Sequence, residues 1–353
     1  MTINKGLEGV VAAETALSHV DGERGELIIA GFPVAELALN ATFEETVSLL
    51  WNEPWSDGRR EIPDSTIELL RDAARDRVDT MDALRMGAGT IRSDAPADVL
   101  AALPTIVAAY WRLLHGREPI APRADLSHAA NYLYMLSGEV ASAERVRGLE
   151  TYLNTVVDHG LNASTFTARV ITSTGSDLVS AIVGAIGALK GPLHGGAPGP
   201  ALDMVFEIGD AARSEEVLRR KIESGEKLMG FGHRVYKVRD PRADVLAVAA
   251  ERLFQRDGDL RLYELAKSVE ATALRLLEEY KPGRRLQTNV EFYTALLLHG
   301  LGLEVPLFTP TFAVSRAAGW IAHCLEQRRA NRIIRPQSVY VGLVGRTWRN
   351  PAA

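Results

Sequence analysis

The chain has 353 residues, which at about 150 residues per domain leaves room for two domains. Hydrophobic residues make up 46 % and charged residues 24 %, the range of a packed globular protein, so disorder is excluded as its main state. Forty lysines and arginines against 45 acidic residues give a formal charge of −5, which lacks the basic excess of nucleic-acid or anionic-membrane binders. At the N-terminus, Glu8 and Glu14 interrupt any basic-then-apolar export pattern. Leu27-Ile28-Ile29 reads as a short strand. Thr42 and Glu45 form a capping box ahead of Val47, Leu49 and Leu50. Val99 to Trp111 is the longest uncharged stretch; Pro104 interrupts it, and it falls short of the roughly 20 apolar residues of a membrane helix.

Val146, Leu149, Tyr152, Leu153, Val156 and Val157 repeat at helical spacing and stop near Gly160. Asp177 caps a second helix, Leu178 to Leu189, which has no polar face and is expected to be buried on all sides, in a subunit interface or a central core. The Gly- and Pro-dense stretch from Gly191 to Pro200 is the best candidate for a domain boundary. Leu262 to Tyr280 is an amphipathic helix that ends at Lys281-Pro282-Gly283. Thr309-Pro310 reads as the cap and first turn of a helix running toward Leu325. Ser338 to Val341 reads as a second short strand. The sole cysteine, Cys324, has no partner for an intrachain disulfide and no companions for a zinc cluster, so the cytoplasm is the expected compartment. The fold class is therefore all-α, with at most minor β near the termini.

Common catalytic signatures are missing. No two histidines are four apart, no GxSxG elbow or Walker loop occurs, and Gly230-Phe231-Gly232 has Val235 where a dinucleotide fingerprint needs its third glycine. Three segments nevertheless place ionisable residues among glycines and apolar residues. In GPLHGGAP, His194 sits where backbone can approach a ligand, or it is a turn histidine bonded to its own loop. In residues 228 to 246, with Lys227 just before them, His233 is joined by Arg234, Lys237, Arg239 and Arg242, a cluster suited to a phosphate or carboxylate, or else a solvated basic loop. In TNVEFYTALLL, Glu291 opens an apolar helix. It is either a dipole-favoured first-turn acid or a desolvated general base. Arg316 shares one helix face with Phe312 and Trp320, which leaves it snorkelling or aimed at an anion. His159, at a helix end, binds a ligand or answers the dipole.

Together, DHGLNASTF, GPLHGGAP, MGFGHRVYKVRDPR, NVEFY, SRAAGW and RPQSVYVG occur in the order and at the spacing of the citrate synthase family, and SHVDGERGEL resembles its opening segment. The resemblance runs from about residue 10 to about residue 345. It implies a two-domain helical fold, with residues 1–199 and 306–353 forming a large domain and 200–305 a small mobile one over the acyl-CoA. It implies a homodimer and an acyltransferase reaction of the tricarboxylic acid cycle, in which acetyl-CoA, the co-substrate, condenses with oxaloacetate. No metal or tightly bound cofactor is implied. By position, Glu291 matches the base, His194 the residue that stabilises the enol and His233 the acid on the ketone. His159, Arg242 and Arg316 match oxaloacetate ligands, and Arg335 matches an arginine offered across the dimer interface. Lys237 and Arg239 match the region that contacts CoA phosphates. One departure stands out: the family usually has Asp where this chain has Glu291, one methylene longer. A 2-methylcitrate synthase using propionyl-CoA, or a non-catalytic sensor of acyl-CoA or dicarboxylate, is the alternative.

Overall fold

The structure, a computed structural model, describes residues 4–7, 9–195, 198–233, 235–346 and 348. Arg234 of the basic cluster and Gly196 and Ala197 of the GPLHGGAP stretch lie outside the described residues. Near the N-terminus, β1 (Ser18–Asp21), β2 (Glu26–Ile29) and β3 (Phe32–Pro33) form an antiparallel sheet in sequence order. Ser18 pairs with Ile29 and Asp21 with Glu26. Leu27 and Ile29 point into the core, as the apolar run requires. The second expected strand, Ser338 to Val341, does not form. That segment is irregular and exposed, with Val339 54 % and Val341 90 % accessible, and among the described residues no strand lies beside it. Its β-branched side chains have no sheet to pair with.

Helices make up the rest of the regular structure. The first seven are α1 (Val34–Asn40), α2 (Phe43–Trp51), α3 (Asp64–Arg75), α4 (Thr80–Ala88), α5 (Pro96–Leu114), α6 (His128–Ser137) and α7 (Ala143–Val156). Thr42 and Glu45 make the reciprocal capping box at α2. By length and composition α5 is apolar enough to cross a membrane, but 72 % of that window is buried inside the protein. It packs among α3, α4, α6 and α15 as a core helix. Next come α8 (Ala163–Ser173), α9 (Leu178–Leu189), α10 (Pro198–Ile208), α11 (Ser214–Glu223), α12 (Pro241–Asp257), α13 (Leu260–Tyr280), α14 (Val290–Gly300) and α15 (Phe308–Arg329).

Two local readings change. Asp177 caps α9 as expected, and Leu178, Ala181, Ile182, Ala185, Ile186 and Leu189 are buried. The opposite side, with Val179, Val183, Gly187 and Ala188, remains half-exposed, so α9 is not buried on all sides among the described residues. Thr309 is not a cap: α15 follows directly from a 3-10 turn at Val305–Leu307, and the Thr309 hydroxyl donates to Gly195 O at 2.9 Å instead.

The site is positioned by α7, α8, α12, α14 and α15. Helix α12 packs on both α14 and α7, and α15 on both α7 and α8. The approach of α15 to the end of α7 depends on Gly319, where a Cβ would overlap Val157 O and Asp158. Gly319→Ala is expected to lower stability by about 1–3 kcal/mol through overpacking. A thermal-unfolding midpoint equal to the native one would contradict this.

Candidate active site

Two short segments bring the chemistry of the two loops together. Residues 230–232 and 287–289 lie antiparallel, with a bridge between Phe231 and Thr288. Gly232 N donates to Gln287 O at 2.7 Å, and Asn289 N donates to Gly230 O at 2.9 Å. Gly230 and Gly232 have φ of +88° and +82°, the left-handed region that favours glycine. Asn289 works at both ends: its Nδ2 donates to Gly232 O at 2.8 Å, and its Oδ1 caps α14 by accepting Glu291 N at 3.0 Å. His233 and Glu291, 58 residues apart in the chain, thereby leave the same bridge.

Asp240 closes the loop. It caps α12, accepting Arg242 N at 3.0 Å, and it accepts Val290 N at 3.2 Å. Arg242 grips the same carboxylate in bidentate fashion, Nε to Oδ1 at 3.0 Å and Nη2 to Oδ2 at 2.8 Å. Both side chains are buried. Burial pulls the guanidinium down, but Asp240 outweighs it and Arg242 is held above its ordinary value.

The histidines are kept neutral. His233 Nδ1 accepts from Val235 N and Tyr236 N, each at 3.0 Å. Arg242 Nη2 stands 3.3 Å from its Nε2. Burial and then the Arg242 charge lower the His233 pKa to about 4. His159 follows the end of α7; burial, Arg242, Arg316 and His233 hold it well below its ordinary value. Its Nε2 lies 3.1 Å from the Tyr236 hydroxyl. His194 Nε2 accepts Ser164 N at 3.3 Å and lies 2.8 Å from Ser164 Oγ. An Nε2 that accepts from an amide leaves the ring proton on Nδ1. Burial and Arg316 lower His194 as well.

Arg316 projects from α15, almost fully buried. Its Nε donates to Val156 O at 2.6 Å, and its guanidinium lies 4.6 Å from the centre of the Phe312 ring. Burial, partly opposed by Asp158, lowers its pKa to about 10. The aromatic stripe therefore divides. Phe312 faces the cation, whereas Trp320 Nε1 donates to Ser164 Oγ at 3.1 Å and braces the His194 partner. Burial raises the Glu291 carboxyl; Arg242 opposes this and Asp240 adds to it.

Three expected residues are placed differently. Arg335 lies on the exposed segment after α15. Lys237 is exposed on the 233–239 loop, whose backbone is tied to the N-terminal hairpin by Lys237 N donating to Gly22 O at 2.9 Å. Arg239 is engaged by Asp244 and by Glu270 Oε1, the latter at 2.8 Å. Glu270 also accepts Thr288 Oγ1 at 2.8 Å and Tyr293 OH at 2.6 Å, so Arg239 links the loop to the segment before Glu291. Sequence reasoning assigned no role to Tyr236, Ser164 or Asp240, although all three fall within the motifs above. Tyr236 sits in an apolar-looking Val-Tyr-Lys-Val run, and its partner His159 is 77 residues away.

The arrangement holds two buried guanidiniums, three neutral imidazoles and a carboxyl whose pKa is moved toward neutrality. Such a site suits a dianionic ligand and proton transfer near neutral pH. Among the described residues, no group of three His, Cys, Asp or Glu is placed to hold a metal ion. Buried neutral histidines also set a pH dependence of stability. In the unfolded chain an imidazole titrates near 6.5 and binds protons that folded His233 does not until about pH 4. Stability is therefore complete above the unfolded value and falls as pH drops between the two. The thermal midpoint is expected to decline from pH 7 to pH 5, and less steeply in His233→Gln; equal slopes would contradict the assignment.

A family model for the citrate synthase C-terminal domain matches residues 6–337. Citrate synthase 2 of Bacillus subtilis is 40 % identical, over 97 % of this chain and 96 % of its own length. A 2-methylcitrate synthase of Mycobacterium tuberculosis is 39 % identical, over 96 % of this chain and 91 % of its own. The citrate synthase structure from Pyrobaculum aerophilum superposes with a TM-score of 0.88 at 36 % identity, covering 98 % of this chain and 94 % of that one. A ternary complex of the Thermoplasma acidophilum citrate synthase with carboxymethyl coenzyme A and oxaloacetate gives 0.86 at 30 % identity, covering 98 % of each chain. The breadth of these matches, with the helical fold and the clustered histidines and arginines, shows that the chain belongs to the citrate synthase family.

Proposed function

We propose that the protein condenses acetyl-CoA with oxaloacetate and releases citrate and CoA. The observation that carries the reading is the pairing of a desolvated carboxyl, Glu291, with two neutral histidines beside two buried arginines. Arg242 and Arg316 hold the carboxylates of oxaloacetate, with His159 as a further ligand. Glu291 removes a proton from the thioester methyl group. The Nδ1–H of His194 hydrogen-bonds the developing enolate oxygen. The enol carbon then attacks the ketone, whose oxygen takes the proton from Nε2 of His233. Arg242, close to that nitrogen, makes the neutral ring a stronger acid. Water then returns a proton to His233 and adds as hydroxide to the citryl thioester, and the departing CoA thiolate takes the proton held by Glu291, which frees citrate and CoA and restores the site.

The mobile element in this reading is residues 200–305, and the protein works as a homodimer in the cytoplasm. The half-exposed apolar side of α9 and the exposed Tyr340, Val341, Val344 and Trp348 are surfaces for the second subunit. Arg335, exposed on the segment after α15, completes the site across the interface. Lys237 is the phosphate contact for CoA; Arg239, engaged by two carboxylates, supports its loop. A 2-methylcitrate synthase using propionyl-CoA is the second reading, favoured by the 39 % identity to the Mycobacterium tuberculosis enzyme. A single methylene changes binding by only about 1–3 kcal/mol.

CoA release with oxaloacetate and matched acetyl-CoA or propionyl-CoA tests these readings. A higher kcat/KM with acetyl-CoA supports the first and the reverse supports the second. No oxaloacetate-dependent release with either would overturn both. Glu291→Gln is expected to lower kcat by about 10²–10⁴-fold, the contribution of a general base, with oxaloacetate affinity retained; native turnover would remove Glu291 from the mechanism. Arg335→Ala and His194→Ala, each inactive alone, are expected to regain activity when their subunits exchange, because a two-fold dimer then holds one intact site. No recovery in exchanged dimers would contradict a role for Arg335 across the interface.

A further inference from the structure

A second buried polar chain lies behind the site and is not part of the reaction. Asp158 and His323 are both fully buried, and His323 Nε2 stands 3.2 Å from Asp158 Oδ1. Arg169 Nη1 lies 3.0 Å from His323 Nδ1. A guanidinium only donates, so Nδ1 accepts and the ring proton sits on Nε2, facing Asp158. Arg169 continues outward to Glu326 Oε2 at 2.6 Å and Gln327 Oε1 at 3.1 Å. Glu326 in turn accepts Ala16 N at 2.9 Å, at the wall of a cavity of about 630 Å³.

The inner end of this chain touches the main chain around His159. Asp158 Oδ2 accepts the Ser18 hydroxyl at 2.5 Å and Gly160 N at 3.3 Å, and Ser18 Oγ accepts Gly160 N at 2.8 Å. Both neighbours of His159 are therefore fixed, and Gly160 is held at φ +60°. The Asp158 carboxylate is also the anion whose charge opposes the burial of Arg316.

We propose that Asp158, held by His323 and Ser18, is a positioning residue for the oxaloacetate seat: it fixes the backbone that carries His159 and balances the charge of Arg316. The inference rests on the oxaloacetate reading above. It involves no contact between Asp158 and substrate. Asparagine at 158 retains the size and one acceptor but turns an amide donor toward the Nε2–H of His323. A shift of the seat on the order of 1 Å costs about 100-fold at a reacting centre, and the effect is expected to be confined to one substrate.

The test compares native protein, Asp158→Asn and Ser18→Ala by calorimetric titration with oxaloacetate and by the KM for each substrate. Asp158→Asn is expected to weaken oxaloacetate binding and raise its KM by about tenfold or more, with the acyl-CoA KM within about twofold. Ser18→Ala is expected to move the same constant in the same direction by less. A folded Asp158→Asn that binds oxaloacetate as the native protein does, or that shifts both KM values equally, would overturn the proposal. If Asp158→Asn fails to fold, Ser18→Ala decides, and native affinity there overturns it. Native protein that binds no oxaloacetate at all would overturn the reading on which the proposal rests.

Discussion

The buried pair of Arg242 and Asp240 is the constraint around which the site is organised. Taking both charges out of water offsets most of their attraction, so such a pair adds little net stability. Removing one partner is different, costing about 3–5 kcal/mol because the other charge is left buried alone. The pair therefore holds geometry. Asp240 caps α12, takes the amide of Val290 at the start of α14 and fixes the Arg242 fork. The loop with His233 and the helix with Glu291 are thereby tied to one carboxylate.

Charge balance follows from that pair. Arg242 has a carboxylate of its own, whereas Arg316 is held by a carbonyl and an aromatic ring. Both guanidiniums lie in a place that water solvates poorly. Burial is the main reason that His159, His194 and His233 are all depressed, and the nearby guanidinium charges add to it. The Arg242 charge also limits the rise of the Glu291 carboxyl, since it opposes the desolvation of that group.

Much of this was legible in the chain itself. Helical periodicity gave α7 and α13 nearly to their ends, and Thr42 with Glu45 marked the cap of α2. Motif order brought out His194, His233, Arg242 and Glu291, because glycines and prolines around ionisable residues stand out against apolar helices. Pairings between distant segments were not legible. Tyr236 against His159, and Arg169 through His323 to Asp158, join residues more than seventy positions apart. A signal for the second existed: Arg316, Trp320, His323 and Gln327 recur at helical spacing on α15, a polar stripe on a buried helix. Ser338 to Val341 misled for a different reason. Its alternation satisfies strand propensity, but a strand needs a neighbour, and none is present among the described residues.

The most direct test of this account is a calorimetric titration of oxaloacetate, without acyl-CoA, into the native protein and into Arg316→Gln. The account predicts saturable binding with one site per subunit in the native protein, weakened by about tenfold or more when the guanidinium is removed. Absence of binding to the native protein, or equal affinity in Arg316→Gln, would contradict the claim that two buried arginines form the seat of a dianion.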